Sequence, residues 1–169
     1  MEEKAYYLLA EFDGETHDIL AGYQDVLKRE GLVGEQTKEI PYHLTLGCFR
    51  TQEEALACGI EQICGNTHTI DICLSHIGLF GLRVLFVEPN MNIELLRLVK
   101  AFFPDYASGS HPWAAHATLL IDAQPQILKA IPILANEFKP VEAKIESVSL
   151  YAFFPTQLIR RYKLIDRKG

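Results

Sequence analysis

From Ala5 to Phe12 the chain strings Tyr, Leu and Ala together and stops at Asp13-Gly14, which predicts a first strand closed by a turn. The period then changes. Ile19, Leu20, Tyr23, Val26 and Leu27 recur at helical spacing over Glu15 to Glu30, and Gly31 supplies the stop. Gly34 to Ile40 is polar and reads as a connection or a short edge strand, from which Pro41 leads into PYHLTLGCF, an apolar strand with two polar interruptions. Thr51 with Glu54 has the form of a capping box for a second helix through Ala55, Leu56, Cys58, Ile60 and Ile63, closed by Gly65. Thr67 to Leu79 and Val84 to Val87 predict a hairpin turning through Leu79, Phe80 and Gly81. Asn90 or Asn92 caps a third helix carrying Ile93, Leu95, Leu96, Leu98, Val99 and Phe102, which ends before Pro104. An irregular loop over Asp105 to Ala114 precedes a strand from about Ala115 to Ile121. A fourth helix follows from Asp122 or Gln124, through Leu128, Ile131 and Leu134, and Pro132 is expected to kink or shorten it. Val141 to Phe154 and Thr156 to Asp166 make a final pair of strands joined around Pro155. The chain closes on a basic tail of Arg160, Arg161, Lys163, Arg167 and Lys168.

Two of these strands share an inner pattern. His43-Leu44-Thr45-Leu46 and His116-Ala117-Thr118-Leu119 both read His, apolar, Thr, apolar. Side chains alternate along a strand, so in each copy His and Thr share one face while the apolar pair points into the opposite side. Of the six histidines, only these two have a hydroxyl residue two places on. Each copy is followed by a helix and a hairpin. The order points to a duplicated unit whose copies face one another across a cleft, within one two-lobed domain over residues 1–169.

Composition narrows the partners. Hydrophobic residues at 49% and charged residues at 22% describe a globular chain, and 169 residues can bury a real core. A net charge of −6 argues against general nucleic-acid binding, which needs a basic face to release counterions. A small phosphorylated ligand or a nucleic-acid end remains compatible. Cys48, Cys58, Cys64 and Cys73 include no CxxC pair and read as buried thiols in a reducing cytosol. The opening run MEEKAYYLLAEF is acidic where a leader is basic and too short to span a bilayer, so a cytoplasmic protein away from membranes is expected.

Imidazole ionises near neutrality, so two imidazoles across a cleft can hold opposite protonation states at working pH. One then takes a proton from an attacking oxygen while the other protonates the departing one, the requirement for displacement at phosphorus without a metal. The two Thr hydroxyls suit the nonbridging oxygens, where negative charge grows.

With HLTL at 43 to 46, HATL at 116 to 119 and the IGLFGLRVLFVEP hairpin between them, the chain resembles the two-histidine phosphoesterase superfamily over nearly its whole length. That group includes 2'-5' RNA ligase-like proteins and cyclic nucleotide phosphodiesterases. The resemblance implies an α+β, bilobal fold of two pseudo-symmetric lobes, each with an antiparallel sheet and flanking helices, around a central cleft with no cofactor. It implies a phosphodiesterase that opens 2',3'-cyclic phosphates or related phosphodiesters of nucleotides and RNA ends, with 2'-5' ligation as the reverse chemistry. His43 and His116 become the acid and base, and Thr45 and Thr118 the phosphate holders. Many RNA-ligase-like members carry a basic residue shortly after the second motif. Leu120, Ile121 and Asp122 stand there here, which points to a nucleotide, a short oligonucleotide or another small phosphodiester rather than long RNA.

Four further residues are candidates for substrate contact. Trp113, beside His111 in the loop before the second motif, either stacks on a base or anchors the loop. Phe80 and Arg83 flank the hairpin turn, a place where the family contributes to the cleft; packing and solvation are the alternatives. Tyr151, two residues beyond Ser149, faces the cleft or belongs to the core. His68 and His76 lack the close His or carboxylate spacing of a zinc motif, so no metal site is expected, and His17 reads as solvated on the first helix. The rival function is a binding module that keeps the cleft for a nucleotide or RNA end without turning it over.

Overall fold

The computed structural model describes residues 5–50, 53–108 and 112–168. Among them are seven strands and four helices in the order β1 (Ala5–Phe12), α1 (Gly14–Arg29), β2 (His43–Arg50), α2 (Glu53–Cys64), β3 (Ile70–Phe80), β4 (Val84–Pro89), α3 (Ile93–Phe102), β5 (Ala117–Ile121), α4 (Gln124–Glu137), β6 (Val141–Ala152) and β7 (Gln157–Lys163). The fold is α+β. Local chemistry sets the helix starts: the Asp13 carboxylate accepts from the Thr16 N–H at α1, and the Asn92 side chain accepts from Leu95 N at α3.

All strand pairs are antiparallel, in the path β2-β1-β6-β3-β4-β5, with β7 on β6. Strand β6 is the hinge of this order. Its first residues, Val141 to Ile145, pair with β3, and its remainder pairs with β1 and β7. The two His-Thr strands, β2 and β5, therefore end the path on opposite sides. They nevertheless touch each other, so the sheet bends back until its two ends meet.

One hydrophobic cluster drives that closure. Leu44 and Leu46 of β2, Ala117 and Leu119 of β5, Leu8 and Ala10 of β1, and Val148 and Leu150 of β6 are buried together with Leu20 and Leu27 of α1 and Ile127, Ala130 and Leu134 of α4. Burying a Leu or Ile side chain is worth about 1.5–3 kcal/mol. Both motif strands contribute to this cluster, so both are held by the same core.

Several expectations need correction. Cys64 alone among the cysteines is buried, and Cys48 and Cys58 are exposed, because they fall on the outer positions of β2 and α2. Helix α4 runs through Pro132 to Glu137 rather than ending early. The carbonyl deprived of a partner by Pro132 belongs to Leu128, a residue 50% exposed. Residues 34–40 form turns and no strand. The capping box at Thr51 and the loop residue His111 lie outside the described residues. Among the described residues, no helix is long and apolar enough to cross a membrane.

Candidate active site

On β2 the burial alternates as the sequence predicts: Leu44 and Leu46 are buried, and His43 and Thr45 stand half-buried on the other face. Around β5 the same holds, with Ala117 and Leu119 buried and His116 and Thr118 half-buried. The imidazoles are set alike. His43 Nδ1 lies 2.8 Å from the Pro41 carbonyl, and His116 Nδ1 lies 2.9 Å from the Ala114 carbonyl. A carbonyl only accepts, so in both rings Nδ1 carries the proton and Nε2 is left to exchange one.

The two halves converge on this face. His43 and Thr118 line one cavity of about 410 Å³. The Trp113 indole N–H donates to the Thr45 carbonyl at 2.8 Å, tying the segment before β5 to the first motif. His116 also acts electrostatically on His43, lowering its pKa. The larger cause of that lowering is burial of the His43 ring; the Pro41 carbonyl and the charge of Glu11 oppose it.

Behind His43 lies a cluster that sequence reasoning missed. Glu11 of β1 stands directly opposite His43 in the ladder and opposite Ser147 of β6, so the three share a face. It is 3% exposed. Arg161 of β7 holds its carboxylate with two hydrogen bonds, Nε to Oε2 at 2.5 Å and an η nitrogen to Oε1 at 3.1 Å, while Ser147 Oγ donates at 3.3 Å. A lone acid inside an apolar strand was the available signal, since a buried charge needs partners. Nothing in the order of residues identified Arg161 as that partner.

The other predicted residues fall in different places. Phe80, 42% exposed at the β3–β4 turn, meets the His116 ring edge-on at 4.6 Å, and Phe86 packs against the same ring at 5.2 Å. Arg83 turns to Glu35, 3.3 Å away, and does not line the cavity. Tyr151 is 4% exposed and donates its hydroxyl to Glu11 at 3.4 Å, so it touches the cluster behind His43. Trp113 borders a separate cavity with Phe102, Phe103 and Tyr106. His17 is not simply solvated: its ring packs on Tyr42 at 5.0 Å, and both line the cavity beside His43. His68 lines a third cavity with Arg97 and Arg167. Among the described residues, no group of three or more His, Cys, Asp or Glu is placed to hold a metal ion.

No family model and no curated protein matches the chain. Solved structures do. A structure described as a phosphoesterase aligns at TM-score 0.62 and 16% identity, covering 97% of this chain and 99% of its own. Escherichia coli LigT complexed with 3'-AMP aligns at 0.67 and 17%, covering 95% and 98%. A Thermus thermophilus protein aligns at 0.65 and 14%, covering 97% and 100%. The chain therefore has the α+β fold of these proteins over nearly its full length.

Proposed function

We propose that the protein, as one two-lobed domain, is a metal-independent phosphodiesterase that opens 2',3'-cyclic phosphates or related phosphodiesters of nucleotides or RNA ends, with reversible 2'-5' ligation where a 5'-hydroxyl attacks in place of water. The observation that carries this reading is the matched setting of the two imidazoles, each with Nδ1 fixed by the carbonyl two residues before it and Nε2 left to exchange a proton. A binding site has no need of two such groups. The likeness to LigT, solved with 3'-AMP, ATP and NADP+, supports a nucleotide as the ligand class. The exposed free thiols of Cys48 and Cys58 fit a reducing, cytoplasmic setting.

Burial favours the neutral form of His43, which supports its assignment as the base. His43 Nε2 takes a proton from the attacking water as its oxygen bonds to phosphorus. His116 Nε2 gives a proton to the ribose oxygen as the P–O bond breaks, leaving a phosphomonoester. Thr45 and Thr118 donate to the nonbridging oxygens while charge builds on them. Turnover of a 2',3'-cyclic nucleotide, followed against pH with chelator present, tests this. The native protein is expected to give a bell-shaped profile, and His43→Ala or His116→Ala to lose about 10²–10⁴-fold in kcat/KM with unchanged circular dichroism. Retained turnover in both variants overturns the reading; tight nucleotide binding without turnover in the native protein establishes the binding module instead.

A further inference from the structure

The cavity that His43 and Thr118 line has further walls. One wall is helix α1, with His17, Ala21, Gln24 and Lys28; another is the segment Gln36 to Tyr42, including Lys38. Its lining carries two lysines and two imidazoles and no carboxylate, in a chain of net charge −6. Asp18 and Asp25, the acids nearest these groups on α1, are 89% and 61% exposed at their side chains and do not line it.

Three polar side chains of this lining, Gln24, Gln36 and Tyr42, are already engaged. Gln24 donates from Nε2 to the Leu119 carbonyl at 3.1 Å and accepts the Tyr42 hydroxyl at 2.6 Å. Gln36 Oε1 accepts from Ile121 N at 3.0 Å, and Glu35 N donates to the Ile121 carbonyl at 2.7 Å. These bonds fasten both walls to β5. Lys28 has only an exposed 3.5 Å pairing with Asp25, so its ammonium group is available to a ligand. Tyr42 and Phe153 also line the cavity. Burial, then the charge of Asp25, pushes the Tyr42 hydroxyl up to about 12, so it stays a neutral donor to Gln24.

We propose that this cavity is a second anion subsite, in which Lys28 and Lys38 take a phosphate group of the substrate other than the one being opened. The substrate class is then a nucleotide that carries a further phosphate, such as a 5'-phosphorylated 2',3'-cyclic nucleotide. A pocket lined by two lysines and no carboxylate attracts a dianion, whereas a bare nucleoside gives the lysines nothing to neutralise. This inference rests on the two-histidine reading for the scissile phosphate only.

The test compares adenosine 2',3'-cyclic phosphate with its 5'-phosphorylated form. Calorimetric Kd values are taken in the His116→Ala background, where neither compound is consumed, and turnover of both is followed separately in the native protein. The 5'-phosphate is expected to tighten binding about tenfold at low salt, with the gain shrinking as salt rises. Lys28→Ala/Lys38→Ala is expected to reduce the gain below about twofold, and Lys28→Arg/Lys38→Arg to keep most of it. Equal Kd values for the two compounds, or a gain that survives removal of both lysines, overturns the subsite even if both compounds are turned over. Native turnover of neither compound overturns the phosphodiesterase reading, and the Kd comparison still decides the subsite.

Discussion

His43 is the residue whose surroundings have the clearest consequence. Its folded pKa is lowered, first by burial, below the value of about 6.5 that imidazole has in an unfolded chain. In its proposed role as base, it should place the rising limb of kcat/KM below that value. The same shift enters stability. Between the lowered and the ordinary pKa the unfolded chain binds the proton and the folded one does not. Stability is therefore fully present above the ordinary value and falls as pH drops through the window to the folded value. Urea denaturation across that window should show the slope in the native protein and its loss in His43→Ala. Arg161 makes a second case. Arg161→Ala would leave the Glu11 carboxylate buried with two weaker hydroxyl donors, Ser147 and Tyr151. Removing one partner of a fully buried pair costs about 3–5 kcal/mol. Arg161 is 40% exposed at its side chain, so a loss of about 1–3 kcal/mol is expected in urea denaturation, with Arg161→Lys recovering part of it.

Among the elements, the β3–β4 hairpin matters most to the site, because it delivers Phe80 and Phe86 to the His116 ring. Gly78 makes this possible, since it stands opposite Phe86 in the ladder and a Cβ there would lie 2.2 Å from the Phe86 ring. Phe86 is 3% exposed and cannot swing aside. Gly78→Ala should therefore destabilise by about 1–3 kcal/mol and displace His116, lowering kcat more than it raises KM. Thermal melts with steady-state kinetics check both. At this scale the sequence was informative wherever a signal was local. The α3 start at Asn92, the hairpin turn at Gly81 and the His-Thr alternation all follow from side chains within a few residues of one another. The reading failed where the surroundings decide: α4 continues through Pro132 past the half-exposed Leu128, and His17 meets Tyr42 across a segment without regular structure.

For the molecule as a whole, the order of strands in the sheet governs where the chemistry assembles. The motif strands β2 and β5 sit at opposite ends of the path, and a shared core brings those ends together. From the sequence alone come the two His-Thr pairs, the face each presents, the strand-helix-hairpin order that follows each, and hence the candidate acid, base and phosphate holders. These are legible because strand alternation is local geometry that any chain obeys. Only the tertiary structure decides what stands around them: Glu11 and Arg161 behind His43, Phe80 and Phe86 against His116, and Lys28 and Lys38 along the cavity beside Thr118. Those groups are separated by tens of residues, and their meeting depends on strand register and sheet closure, which many side chains determine together.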